Sequence, residues 1–555
     1  MGLLVGALLV SGCGGESRAG DTDEPVPRVV LGTPGDRDAR TLPAEDAGPG
    51  RTPSSTPAPL EPRPLAPALV PDPPTSDTTS SVPAFDPELQ RRIAAEVDRG
   101  VRAALKAAPG KLAAKDCQVA VHVVLPDGRT LVAIQSRTPL MPASNLKILT
   151  AYAAWALLGP DHVVETRFDA AGDVRQGRLH GDLVARAAGD ALYDYGGDGS
   201  LTRWLDDLDA QLGRAGIREV TGDLVLDEGA WPAPAPGPGW PSDNEYWKSY
   251  CALAAGFSAN AGCLTATCVA GPIGARSESR VRPEHHGLER VGTVHTVAKG
   301  AALNIAIEAR GNRVVVRGRQ PINASPWDTR MAYPDPVELF GHAVVGGLRA
   351  RGIAITGFRR ERNLPDATVV ATLKTPWIEW LEPILLDSDN ATADQLFLHL
   401  GREVVQQPDW DGGARAVTQA LNPLGVTGGD WSLMDGSGLS RDNQVRARQL
   451  TAALADLERR GDARRWFEAL PLAGKSGKLS GRMRSGPALG RVRGKTGFIS
   501  GASGLSGRLE TASGEVLLFS ILVNYPKVSG LNTRAWKPMQ DRICEALVGW
   551  ERSDG

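Results

Sequence analysis

The sequence predicts an α+β protein: an antiparallel β-sheet covered by helices, with a large β-rich module inserted into it. Three observations carry this expectation. Helical patterns lie at both ends of the folded part, and hairpin patterns lie nearest to them. From about 166 to 375 glycines punctuate short strand-like pieces instead. After 375 the helical texture returns. The chain has 555 residues, enough for roughly three to four units of ordinary domain size.

Residues 1–13 read MGLLVGALLVSGC, an apolar stretch whose last residues before Cys13 are small. This resembles a bacterial lipoprotein signal, in which the cysteine is lipidated, except that Lys or Arg is missing ahead of the apolar run. Residues 14–85 form a Pro-rich tether with no aromatic residue between Gly14 and Val82. Such a segment buries too little apolar surface to offset its ordering entropy, so a disordered, extended spacer is expected. No apolar run reaches 18 residues, which argues against a membrane-spanning helix.

Folded structure is expected to start near Phe85. Asp86-Pro87-Glu88 is a helix start, a cap followed by proline. Leu89, Ile93, Val97, Val101 and Leu105 follow at helical spacing. Gln118–Leu125 reads as a strand, Asp127-Gly128 as a turn and Leu131–Ile134 as the return strand. An apolar helix then runs from about Ser144 to Gly159, which can end it. In the middle region a weak repeat appears. Gly216-Ile217 leading to Thr221-Gly222 matches Gly352-Ile353 leading to Thr356-Gly357, each following a helical pattern. The region reads as one inserted module, or two. Beyond it, two helices are expected to flank Asp387–Asn390, and 491–524 reads as antiparallel strands before a closing helix. The helix-and-hairpin part is thus divided into 86–165 and 376–555, with 166–375 inserted.

Lys plus Arg is 62 and Asp plus Glu is 64, giving a formal net charge of −2. This balance gives no reason to expect nucleic acid as a partner. With Cys13 assigned to lipid, five cysteines remain. Cys263 and Cys268 are close enough in sequence to bridge a turn, or are buried free thiols. His285 and His286 beside Glu284 find no third metal ligand at helical spacing. Zinc-peptidase and G-x-S-x-G hydrolase patterns are missing from the sequence.

Three short motifs carry chemistry. Ser144 and Lys147 stand at i, i+3 and share a helix face. A serine hydroxyl needs a base to take its proton, and a buried lysine can lose its own and serve. Alone, S-x-x-K is worth little, since about one chance match is expected in a chain this long. Ser388-Asp389-Asn390 reads as a loop; its serine can relay a proton and its asparagine can hold a peptide amide. Lys495-Thr496-Gly497 lies on a strand, where lysine supplies charge, threonine a hydroxyl, and glycine room for a substrate backbone. Ser258-Ala259-Asn260 and Lys475-Ser476-Gly477 are rival matches in less suitable surroundings.

The ordered set S-x-x-K, S-D-N, K-T-G, with PASNLKILT, GDLVLD, MDGSGLSRDN and SGASGLSG, resembles the D-alanyl-D-alanine carboxypeptidase/endopeptidase family, the class C low-molecular-weight penicillin-binding proteins. The 241 positions between Lys147 and Ser388 match that family's large insertion. The resemblance implies a penicillin-binding-protein/β-lactamase-like transpeptidase fold and a serine peptidase acting on D-Ala-D-Ala or cross-link bonds of peptidoglycan stem peptides. It implies Ser144 as nucleophile, Lys147 as base, and Ser388, hydrogen-bonded to Lys147, as proton relay. It further implies Asn390, Lys495, Thr496 and Gly497 as substrate contacts, with an oxyanion hole from the backbone N–H groups of Ser144 and Phe498. β-Lactams would acylate the serine, a lipid on Cys13 would tie the exported protein to a membrane, and no cofactor or metal is required. Phe498 departs from the family's usual Thr or Ser. Asp435 and Arg441 are expected to shape a turn near the site. A weakly catalytic peptidoglycan-binding lipoprotein and a β-lactamase or esterase are the competing functions.

Overall fold

The computed structural model describes residues 85–191, 199–241 and 245–552. The expected signal at 1–13 with Cys13, and the expected tether up to residue 84, lie outside the described residues.

The organising element is a five-stranded, wholly antiparallel sheet. Its order is Val492–Ile499, Ala502–Glu510, Val516–Asn524, Gln118–Val124, Thr130–Ile134. The first strand of the chain therefore pairs with one from its C-terminal part, Gln118 opposite Asn524 and Val124 opposite Leu518. This register closes the divided halves into one sheet. Both faces are covered. On one lie the terminal helices Pro87–Ala107 and Lys537–Val548, which bury Leu89, Ile93, Phe519, Trp536 and Ile543. Asp86 caps the first, accepting the N–H groups of Glu88 and Leu89 at 3.0 and 2.9 Å. On the other face lies helix Leu146–Leu157, packed among Asn390–Val405, Trp410–Leu421 and Ala447–Arg460. Ten of its twelve residues are buried, as expected for a helix apolar on all sides.

The insert is framed by strands that begin at Val163 and end at Pro376. It contains two sheet systems with separate cores. The first is a six-stranded mixed sheet, not a purely antiparallel one. The sequence repeat has a structural meaning here: helices Ser200–Arg214 and Pro336–Ala350 each lead into a short strand, Leu224–Asp227 and Phe358–Glu361, and the two strands pair in parallel. The second system holds Cys263–Val269, Glu278–Arg282 and Trp327–Ala332 beside strands between Glu289 and Pro321.

Of the two readings of Cys263 and Cys268, the structure has the buried free thiols: the two stand near opposite ends of one strand, Cys263–Val269. Five extended residues span roughly 16 Å, far beyond disulfide reach. One expectation is corrected: ahead of Ser388 there is no regular α-helix but a 3₁₀ turn, Trp377–Trp380, and a π-turn, Glu382–Leu386. Pro383 supplies no N–H, which disfavours the regular ladder there; its carbonyl accepts the N–H of Asp389 at 2.9 Å.

Candidate active site

Ser144 lies in the 3₁₀ turn Ala143–Asn145 that runs directly into helix Leu146–Leu157. Ala143 holds a left-handed φ of +46°, a cost that surrounding structure must sustain. Two glycines allow that surrounding. A Cβ on Gly497 would come within 2.9 Å of the Pro142 carbonyl and 3.1 Å of the Ser144 nitrogen. A Cβ on Gly438 would meet the Ala143 carbonyl at 1.9 Å. Gly497 therefore admits the Ser144 turn itself, whereas the sequence suggested that it admits a substrate backbone.

Lys147, one turn along, is completely buried. Its Nζ donates to Ser144 Oγ at 3.2 Å, Asn390 Oδ1 at 2.6 Å and the Ser437 carbonyl at 2.8 Å. Three acceptors match the three ammonium protons, and all are uncharged. Burial pushes the Lys147 pKa down to about 8, against the opposing pull of Asp394, Asp435 and Asp389.

The Ser388-Asp389-Asn390 segment is held from several sides. Asp389 caps helix Asn390–Val405, accepting the Thr392 N–H and hydroxyl at 2.9 Å each. Its other oxygen accepts from Arg330 at 3.0 Å, an ion pair whose side chains are 12% and 6% exposed. Arg330 comes from the insert strand Trp327–Ala332. Asn390 is the first residue of the helix, not a loop residue, and its amide donates to the Tyr250 carbonyl at 2.9 Å. The insert thus forms one wall of the site, through Arg330 and Tyr250.

Ser388 is not bonded to Lys147 as expected. With a left-handed φ of +65°, it instead accepts a hydrogen bond from Lys495 Nζ at 2.7 Å. The reason is competition: Asn390 Oδ1 and the Ser437 carbonyl already occupy the free protons of Lys147. Lys495 is itself fully buried on strand Val492–Ile499 and also donates to the Thr496 carbonyl at 3.0 Å. Burial first, then the neighbouring Lys147, holds its pKa well below the usual lysine range. Strand alternation puts Thr496 and Phe498 on the opposite face from Lys495. Thr496 is half-buried and Phe498 is 56% exposed, so the Phe498 ring is not a core residue.

The Met434–Asn443 run is the turn anticipated beside the site. Asp435 is buried and accepts from the Gly438 and Ser440 N–H groups, Asn443 Nδ2 and Trp240 Nε1 at 2.6–3.0 Å. Arg441 donates to the Ser500 carbonyl at 2.7 Å. What sequence reasoning missed is that this turn aims the Ser437 carbonyl at Lys147. A backbone acceptor leaves no signature in residue type. The buried Asp394, which takes the Gly436 N–H at 2.8 Å, was likewise hidden inside an apolar helix pattern.

The rival motifs lie elsewhere. Asn260 is buried in the insert and donates to the Cys263 carbonyl at 2.7 Å and to Thr265 at 3.0 Å. Ser476 closes a turn by accepting the Leu472 N–H at 3.0 Å. His286 accepts the Leu288 N–H at 3.1 Å. Among the described residues no group of three His, Cys, Asp or Glu side chains is placed to hold a metal.

Comparison with known proteins identifies the family of the chain. The model of the D-Ala-D-Ala carboxypeptidase 3 (S13) family matches residues 103–546. A D-alanyl-D-alanine carboxypeptidase of Actinomadura sp. (strain R39) is 32% identical over 416 residues, covering 72% of this chain and 76% of that protein. The D-alanyl-D-alanine carboxypeptidase DacB of Haemophilus influenzae is 28% identical over 397 residues, covering 70% of this chain and 81% of its own. The crystal structure of penicillin binding protein 4 (dacB) from H. influenzae shares the fold, with a TM-score of 0.64 at 24% identity over 80% of this chain and 98% of that one. The chain therefore belongs to the D-Ala-D-Ala carboxypeptidase 3 (S13) family, and it is a serine-type DD-peptidase.

Proposed function

We propose that Ser144 is the nucleophile of this peptidase and Lys147 its general base. The observation that carries this reading is the contact of Lys147 Nζ with Ser144 Oγ at 3.2 Å, made by a lysine whose burial brings its pKa near neutrality. Ser144 attacks the carbonyl of the scissile bond as Lys147 takes its proton. The backbone N–H groups of Ser144 and Phe498 receive the developing oxyanion, usually the largest catalytic contribution. Ser388 passes its proton to the leaving amine and takes one from Lys495, which is bonded to its oxygen. Water then attacks the acyl carbonyl; its proton restores Lys495 through Ser388, and Lys147 returns its proton to Ser144 as the acyl-enzyme is hydrolysed. Asn390 orients the peptide, Gly497 leaves room for the Ser144 turn, and Thr496, on the exposed face of the strand, receives the terminal carboxylate with the buried charge of Lys495 behind it. An arriving carboxylate would favour the charged form of Lys495.

β-Lactams would acylate the same serine. Penicillin binding protein 4 of H. influenzae has been solved in complex with a β-lactam. The protein would be exported to the cell envelope, and lipidation at Cys13 would anchor it. Cys13→Ala should then release it from the membrane fraction with activity intact.

The test is to treat the full chain and Ser144→Ala with labelled penicillin, then with peptides ending in D-Ala-D-Ala. Covalent label and turnover in the wild type, and neither in a folded Ser144→Ala, is the expected outcome. Stoichiometric labelling of the variant would assign the nucleophile elsewhere. Labelling without turnover in the wild type would favour a peptidoglycan-binding role, and rapid loss of label a β-lactamase.

A further inference from the structure

At the sheet edge opposite the catalytic strand, a cleft of about 470 Å³ opens between strands Gln118–Val124 and Thr130–Ile134 and helix Ala447–Arg460. Four strand spacings separate the two edges, roughly 19 Å. The volume lies within the ordinary range of small-ligand sites.

Its lining is unusual in charge. Arg137, Arg448 and Arg459 face it, and no carboxylate does. Arg459 is paired with Asp456 at 3.1 Å. Arg137 and Arg448 have no carboxylate partner among the described residues, whereas arginines across the rest of the fold commonly do, as Arg482 with Asp541 or Arg508 with Glu458. Arg448 is half-buried, and burial and then the charges of Arg137 and Arg446 lower its pKa, with no acid opposing them. Holding like charges together without an acid costs free energy in the empty site. In a chain of net charge −2, that local excess is not a by-product of composition.

The neutral groups complete an oxyanion site. Ser136 and Thr130 line the same cleft, the Thr130 hydroxyl 3.4 Å from His122 Nε2. Its walls are tied by the Arg448 N–H donating to the Ser136 carbonyl at 3.3 Å. At its floor His122 Nδ1 meets Thr451 Oγ1 at 2.5 Å. Guanidinium forks match phosphate oxygens geometrically, and a phosphomonoester carries nearly the two negative charges that two unpaired arginines lack.

We propose that this cleft is a second ligand site, which binds a small phosphate-bearing group through Arg137 and Arg448 with hydroxyl support from Ser136 and Thr130. The group is a free phosphomonoester or a phosphodiester unit within a chain, since both present non-bridging phosphate oxygens, the diester with one negative charge instead of nearly two. The test is calorimetric titration of the full chain with glycerol 3-phosphate and, separately, with poly(glycerol phosphate), at about 0.15 M salt to screen diffuse attraction. The His122 imidazole resonance is followed in the same titrations. Saturable binding of either probe is expected, with a shift of that resonance. Arg448→Gln and Arg137→Gln should each weaken binding about tenfold or more, as loss of a charge-assisted contact implies. Penicillin labelling should be unchanged in both, which reports an intact fold. Binding of the monoester identifies a free ligand, and binding of the polymer alone identifies a chain-borne one. Failure of both probes to bind, or variants within about twofold of wild type, would overturn the proposal whatever the outcome at Ser144.

Discussion

The acylation rate should report the titration of Lys147. Its amine is fully buried and donates to three neutral oxygens, and burial brings its pKa down to about 8. The sign follows from the charge. Burial disfavours the ammonium, so the free base, which is the form the proposed mechanism requires to take the Ser144 proton, appears at lower pH than in solution. With a pKa near 8, the free-base fraction rises about tenfold from pH 7 to pH 9 and then levels off. With an unperturbed lysine near 10.4 it would rise about a hundredfold over the same interval and still be climbing. The perturbation is therefore pH alone, and the two cases differ by about a factor of ten. The assay is the second-order rate of acylation by a fluorescent penicillin, measured by stopped flow between pH 6 and 10 at constant ionic strength. Thermal melts at each pH confirm that the fold persists. A rate that rises by a decade per pH unit through pH 9, or one that is flat from pH 6, would refute the argument that a half-titrated buried amine is the base.

Further outcomes follow from neighbouring contacts. Lys495→Ala should lower acylation about a hundredfold, the scale of a lost electrostatic contact in a catalytic site, whereas Lys475→Ala should stay within about twofold as an ordinary surface change; the reverse ranking would show the wrong K-[ST]-G to have been chosen. Arg330→Met leaves Asp389 buried without its ion partner and should cost about 3–5 kcal/mol in denaturant unfolding, with slower acylation because Ser388 and Asn390 flank that aspartate; unchanged stability would mean the pair is not holding the segment. Phe498→Thr places a hydroxyl beside Thr496, on the exposed face, and should raise kcat/KM on peptides ending in D-Ala-D-Ala by roughly 10- to 100-fold, the equivalent of a hydrogen bond to a charged group. Cross-linked peptides should gain less, so equal gains on both substrates would count against a carboxylate contact.

The sequence by itself determined most of the secondary elements, though not the 3₁₀ and π-turns ahead of Ser388, together with the family and the identity of the motif residues. These rest on local physics: helical spacing from Leu89 to Leu105, capping at Asp86, turn chemistry at Asp127-Gly128, and residue types whose chemistry is scarce enough to be recognised in order. It also exposed the duplicated helix–strand unit, although not that its two strands pair in parallel. What tertiary structure alone decided is who touches whom. Ser388 turned out to serve Lys495 because Lys147 is already saturated by Asn390 and a backbone carbonyl. Gly497 is required by the turn that carries Ser144, and Arg330 and Tyr250 reach the site from an insert whose sequence carries no catalytic pattern. The cleft at Arg137 and Arg448 joins residues more than 300 positions apart. A hydrogen bond is decided by competition among all donors and acceptors within about 3 Å, and that neighbourhood comes from the closed sheet and the folded insert, not from distance along the chain.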